Sequence, residues 1–504
     1  MMAAQQQQLD QMRQEMQQRD QQLQQTQQQL AEAQAAAQAA QAKATSLETV
    51  TTEQKATYSQ LQSDMADVKT SLTNTATTAQ DEQKKVSEIS GLLGRFRWTG
   101  DVRVRFEDFF QDGTTNRYRP RIRLRLGVEG KLSQDFFGGI ALASGNLGDP
   151  TSTNSTLGDA FQRKPVSLDR GFITYNPADH KWLSLTGGKF AYTWIRTAQT
   201  FDPDINPEGF SEKLSFDVKD VPFVKNVTFT GLQLYLNEAN NTKNNISLLP
   251  AGFPTLSNDS WAYGGQVSAK LQPTTWWTLV PSYTILNFRN PDVLVNGYAS
   301  LVQGGAPSDF SKVAGTLTST TGFAPNGMTN ALCAQPVGAI NLPRFCSDFI
   351  YSDLILTNTV KTPIKKLPLT VLGEYEDNLG AASNRSHLYQ AEITLGQQKE
   401  RKDYQFGYAF TRSEQDAVIA SFAESDQRFP TNVLQHRVFL NYRIAPNTTL
   451  GYTQWIGRAL DTTVPNTAAF GFSGGKPYGY APATLPGGHE PWLKRGQLDL
   501  IYTF

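Results

Sequence analysis

Arginines recur at every second position early in this chain. Arg103 and Arg105 alternate with Val102, Val104 and Phe106. After a short polar break, Arg119, Arg121, Arg123 and Arg125 alternate with Ile122, Leu124 and Leu126. Side chains on a strand point alternately to its two faces, so each row is a file of guanidinium groups backed by an apolar face. Such groups stay charged and must be hydrated or paired. A file of them favours anions or the anionic groups of solutes. The bland alternative is a structural ion-pair network with Glu107, Glu129, Glu374 and Glu376, and the two readings can coexist. A second charged pattern, Asp202-Pro-Asp-Ile-Asn-Pro-Glu-Gly209, places Asp202, Asp204, Asn206 and Glu208 at alternate positions between prolines. That spacing fits a calcium loop except for the missing central glycine. It fits a solvated loop equally well. The two cysteines, Cys333 and Cys346, fit one local disulfide in an oxidising compartment. Neither cofactor nor metal is expected from two thiols without a nearby histidine. His180, His387, His436 and His489 are scattered, and no nucleophile elbow, zinc-helix or phosphate-loop motif occurs, so no enzyme is expected. The one arrangement left open is His387 beside Ser386 or Asp377.

Two regions of different character must position these residues. Residues 1–90 hold 7 Lys and Arg against 11 Asp and Glu, a net of −4, within a total balance of 46 against 46. The remainder therefore carries +4. Tyr58 is the only aromatic residue before Phe96. A zero total charge argues against a nucleic-acid partner. Mean hydropathy is −0.42, and no stretch is apolar for the ~18 residues that a transmembrane helix needs. A membrane barrel passes this test, because its strands are only half apolar.

From Gln5 to about Ser90 the chain is rich in Gln, Ala, Glu, Lys, Thr and Ser and lacks both Pro and Gly. Leu9, Met16, Leu23, Leu30 and Ala37 form one seven-residue series. Leu47, Leu61, Val68 and Ile89, partnered by Tyr58, Met65, Leu72, Val86 and Leu93, form another. The registers differ, which predicts a stutter near residues 38–47. So thin an apolar stripe needs partner helices. The expectation is a long coiled coil over residues 1–93, a homotrimer in preference, about 130 Å long if unbroken. A disordered Gln-rich tract is the alternative.

Beyond Phe96 the period changes to two. Strands are predicted at 96–108, 118–132, 135–144, 166–176, 182–194, 212–219, 226–238, 260–272, 275–288, 349–361, 366–378, 386–397, 403–413, 433–445, 448–458 and 493–504. Their connections alternate between short turns and longer loops. That alternation predicts an all-β transmembrane barrel of about 16 antiparallel strands over residues 94–504, with the arginine files facing the lumen. Aromatics toward strand ends, such as Trp98, Trp182 and Trp276, fit interfacial girdles in outer-membrane lipid. Gly496, Leu498, Leu500, Tyr502 and Phe504 share one face of the last strand; alone, this reads as an ordinary amphipathic edge.

Pro120-Arg-Ile-Arg-Leu-Arg-Leu-Gly127, Ala143-Ser-Gly-Asn-Leu-Gly-Asp149 and Ser167-Leu-Asp-Arg170 resemble the bacterial putative porin family over roughly residues 96–504. The resemblance implies a bacterial outer-membrane channel for passive diffusion of small hydrophilic solutes, and the arginine files add a preference for anions. It implies that the third long loop, 195–211, folds into the lumen, where Asp202, Asp204 and Glu208 would oppose the arginine wall at a constriction. The terminal strand, with Tyr502 and Phe504, resembles the signal read by the barrel-assembly machinery. A rod preceding such a barrel resembles periplasm-spanning porins that tether the outer membrane to the wall, so the alternative function is an anchor with peptidoglycan as partner. The rod would then be periplasmic. No signal peptide is visible after Met1; export requires that one was removed or that the start is misplaced.

Overall fold

The computed structural model describes residues 19, 26–32, 34–36, 38, 52–113, 115–145, 150–158, 160–237, 259–292, 294, 329–337, 340–462 and 490–504. The chain forms two compact units, residues 1–98 and 99–504. The first contains helix α1, Thr52–Leu93, of 42 residues. Its Leu61 and Val68 remain exposed in the single chain. Arg19 pairs with Glu82 although 63 residues separate them. The stutter and most of the first heptad series lie outside the described residues.

The second unit is a closed barrel of sixteen antiparallel strands. They are β1 Phe96–Phe110, β2 Arg117–Lys131, β3 Phe136–Ser144, β4 Val166–Tyr175, β5 Leu183–Lys189, β6 Glu208–Asp217, β7 Val224–Asn237 and β8 Ser260–Leu271. They continue as β9 Trp277–Arg289, β10 Ile350–Val360, β11 Leu369–Asn378, β12 His387–Gly396, β13 Tyr404–Ser413, β14 Val433–Ala445, β15 Thr448–Ala459 and β16 Leu493–Thr503. Each pairs with its sequence neighbour, and β16 closes on β1 in the register Val102 to Tyr502 and Phe106 to Leu498. Closure leaves no unpaired edge, the condition for a sheet to cross a bilayer. A two-residue segment, Ser155–Thr156, adds to β2, and a hairpin of Leu332–Val337 with Ile340–Phe345 stands in the longest loop.

Burial inverts the pattern of a water-soluble sheet. Val104 and Phe106 are 51% and 47% exposed, whereas Arg103 and Arg105 between them are 8% and 5% exposed. The apolar row faces outward around the barrel and the charged row faces in, as lipid outside and a polar lumen require. Phe504 seals the seam: its backbone exchanges bonds of 3.1 and 3.0 Å with Gly100. A Cβ on Gly100 would lie 2.2 Å from the Arg125 carbonyl oxygen and 2.8 Å from the Phe504 ring, so only glycine allows this approach.

Two expected strands are corrected. The strand predicted over 182–194 ends at Lys189, and that predicted over 212–219 begins at Glu208. Phe190, Tyr192 and Trp194 continue the inward-facing row of Ser184 and Thr186, and they pack inside the barrel: Phe190 is 1% and Trp194 is 7% exposed. Their apolarity serves an inward loop and not the lipid face.

Candidate functional site

The loop between β5 and β6, residues 190–207, crosses the lumen. On one side Gln266 of β8 holds Ile195 through both backbone groups, at 2.9 and 2.6 Å. Thr197 donates to the buried Glu374 of β11 at 2.7 Å. On the far side Asp204 accepts from the Thr153 backbone N–H at 3.0 Å and from its hydroxyl at 2.9 Å. An Asp204 oxygen lies 3.7 Å from Arg125 Nη1. Asp202 and Asp204 therefore stand between the two walls. Glu208 does not join them. It opens β6, is exposed, and pairs with Lys189 at 2.8 Å. No group of three or more candidate metal ligands occurs among the described residues, so the calcium reading finds no support there.

A second loop, residues 414–432, also enters the barrel. Ala417, Val418, Ile419 and Ala420 are fully buried. Ala417, Val418 and Ile419 pack with Phe190, Trp194, Phe201, Phe288, Phe345, Phe349 and Tyr351 in one apolar cluster inside the barrel. Burying a residue such as Ile419 contributes about 1.5–3 kcal/mol relative to exposure, so this loop is held by packing as well as by hydrogen bonds. The two loops are joined at Asp202: its backbone N–H donates to the Phe422 carbonyl at 2.6 Å, and its carboxylate accepts from the Ser425 N–H at 2.9 Å. The sequence predicts a loop at 414–432 but not its inward course. Its signal was the apolar run Ala417–Ala420, which a water-exposed loop would have no means of burying.

The arginine files line the opposite wall, and most of their charge is matched. Arg105 binds Asp499 of β16 through two bonds of 2.7 and 2.8 Å and reaches Asp426 at 2.8 Å. Arg119 and Arg495 both bind Glu107, each at 2.6 Å. Arg123 and Arg125 share Asp101 at 2.8 and 2.6 Å. The acids expected for this network were only partly right. Glu107 belongs to it, but Glu374 lies across the lumen under Thr197, and the remaining partners are Asp101, Asp426 and Asp499. Seven guanidinium groups face four of these acids and Asp204, so the wall keeps a positive excess.

The loop side responds to protons. Burial, with the Glu424 and Asp204 charges, pushes the Asp202 carboxyl well above the usual range. Burial first, then the Asp426 charge, pushes Glu424 up to about 7. Asp426 goes the other way: burial opposes ionisation but is outweighed by Arg495, Arg105 and Arg103, which hold it well below the usual range. Between the wall and the two loops lies a cavity of about 270 Å³, bounded by Arg103, Arg105, Asp202, Asp204, Glu424 and Trp455 among others. A second, of about 410 Å³, lies against Gly100, Asp101, Arg125 and Arg170. Pro203 and Asp204 border both.

Residues 108–305 match the putative porin family. The putative porin match begins within β1 and covers β2–β9, the second arginine file and the crossing loop with Asp202 and Asp204. The match and the closed barrel together support an outer-membrane setting. No curated protein matches the chain. Among solved structures, a high-pH structure of OprB from Pseudomonas putida is 11% identical, with 82% of this chain and 96% of that one covered, at a TM-score of 0.45. OmpT of Vibrio cholerae in its trimer form is 8% identical, covering 81% and 99%, at 0.39. OmpF of Salmonella typhi, in complex with daunomycin, is 8% identical, covering 81% and 97%, at 0.40. At these identities and scores the likeness carries no argument about function.

The remaining candidates fall outside the lumen constriction. Cys333 and Cys346 are joined as a disulfide, with Cα atoms 5.0 Å apart. Tyr502 and Phe504 end β16 at the seam. His387, Asp377 and Ser386 do meet, but Ser386 Oγ and His387 Nδ1 both address the same oxygen, Asp377 Oδ1, at 2.8 and 3.1 Å. The serine proton is thus directed to the carboxylate and not to the imidazole, which is not the relay a nucleophilic serine needs.

Proposed function

We propose that this chain is an outer-membrane porin, a water-filled passage for the passive diffusion of small hydrophilic solutes with a preference for anions. The observation that carries this reading is the crossing loop: Asp204 is held between Thr153 and Arg125 and borders cavities on both sides, which is how a constriction is built from a loop and a charged wall. The wall's positive excess supports the selectivity. Single-channel recording in planar bilayers tests it. A reversal potential of anionic sign in a salt gradient is expected, and strong cation preference overturns the selectivity. A silent protein overturns the channel itself and favours a structural anchor.

The assembly belongs to the same reading. The exposed Leu61 and Val68 on α1 support a helix that packs against copies of itself, and we take the functional unit to be a homotrimer. The N-terminal unit would be periplasmic, with the barrel-assembly machinery as the partner of the Phe504 strand. Crosslinking of the purified protein, with and without residues 1–93, tests the oligomer.

A further inference from the structure

Among the described residues, Arg103 and Arg121 are the wall arginines whose hydrogen bonds go to neutral groups and not to a carboxylate, and of the two Arg103 lines the cavity. Its Nη2 donates to a neutral amide oxygen, Asn154 Oδ1, at 2.6 Å. The carboxylate oxygen beside it, Asp499 Oδ1, is 4.0 Å from its Nε, and that carboxylate is already gripped through both oxygens by Arg105. Arg103 Nε has no hydrogen-bond partner among the described residues. The residue is only 8% exposed. A buried guanidinium whose nearest carboxylate is 4.0 Å away and held by another arginine is costly, since its charge has lost bulk water and gained only a neutral hydrogen-bond partner.

The acids around the same cavity do not supply that partner. Asp426 is engaged by Arg105 and Arg495. Asp204 is engaged by Thr153 and Arg125. Asp202 accepts from two backbone N–H groups, and Glu424 accepts from the Asp426 N–H at 3.0 Å. The cavity of about 270 Å³ has room for a solute of a few heavy atoms, and Trp455 and Gln497 line it beside Arg103.

Resting on the porin reading above, we propose that this cavity is a binding station for the oxyanion of a permeating solute, a carboxylate or phosphate held by Arg103. A planar guanidinium presents its N–H donors in a fork that matches such oxygens better than it matches chloride. The station would sit above the Asp204 constriction and raise the local concentration of small organic acids or phosphate over that of chloride.

The test is block of chloride current in planar bilayers by sodium acetate and by inorganic phosphate, each referred to the same protein's chloride conductance. Saturable block by either is expected; block by acetate alone assigns a carboxylate, and block by phosphate alone assigns a phosphate. Arg103→Gln should weaken the block about tenfold, and Arg103→Lys, which keeps the charge but loses the planar fork, should fall between. Chloride current in either variant certifies its assembly, so one folding failure leaves the other measurement standing. Absence of block in the native protein, or equal block in the variants, overturns the station. A cation-selective reversal potential with oxyanion block intact overturns the anion preference of the pore and leaves the station standing.

Discussion

Ser347 donates a 2.8 Å hydrogen bond to Asp416, linking the residue after Cys346 to the start of the second inward loop. The same strip of chain makes further contacts with that loop. Asn330 donates to the Gln415 and Val418 carbonyls at 2.8 and 2.7 Å and accepts from the Ala420 N–H at 2.8 Å. The Ala331 N–H donates to Asp416 at 2.9 Å. The disulfide ties together the two segments, 329–331 and 345–349, that grip residues 415–420.

Reducing the disulfide should therefore loosen the second loop. In the chain-entropy picture a bridge closing a loop of this size is worth about 3 kcal/mol. Single-channel conductance should rise or become noisier after reduction, and Cys333→Ser should do the same without reductant. Identical traces before and after would remove the bridge from any role in holding the loop.

Selectivity should change with pH through Glu424. Its carboxyl is raised from 4.5 to about 7, so on lowering the pH from 8 to 5 it loses a negative charge facing the arginine wall. The anion-to-cation permeability ratio should increase, by roughly twofold or more, and Glu424→Gln should hold it near the low-pH value throughout. The sign for stability is fixed by the same shift. The folded state binds this proton more tightly than the unfolded one, so the contribution of Glu424 to stability is full below 4.5 and is lost as pH rises through about 7. Urea unfolding of the native protein and the Gln variant at pH 5 and pH 8 would reveal the difference.

Asp204→Ala should widen the constriction. It removes two hydrogen bonds to Thr153 and the charge beside Arg125, a loss of about 1–3 kcal/mol for that end of the crossing loop. Unit conductance should increase while the β5 end, held through Gln266 and Thr197, stays in place. An unchanged conductance would mean that the tip of this loop does not limit flow.

Deleting Phe504 should block barrel closure. Its backbone bonds to Gly100 are the last of the β1–β16 seam. The heat-modifiable folded form should disappear on gels while the N-terminal unit still self-associates. Gly100→Val is a second route to the same outcome, because a side chain there collides with both Arg125 and Phe504.

The sequence by itself determined the barrel. Inside–outside alternation is a local property with a period of two, so Arg103, Val104, Arg105 and Phe106 declare their faces without knowledge of distant residues. The sixteen strands, their antiparallel order and the lumen position of the arginine rows followed from it. Tertiary structure alone decided what fills the lumen. Phe190 and Trp194 sit on the inward parity of Ser184 and Thr186, and the apolar cluster that receives them there is built from distant residues that the local pattern could not announce. The run Ala417–Ala420 found its partners at Phe345, Phe349 and Tyr351, some seventy residues earlier. The charge balance of the wall was likewise non-local: Arg105 meets Asp499 across the closing seam, 394 residues away, and Asp426 arrives from the inward loop 414–432, 321 residues away. Periodicity fixes which face a residue takes; only closure and packing fix which residue it meets there.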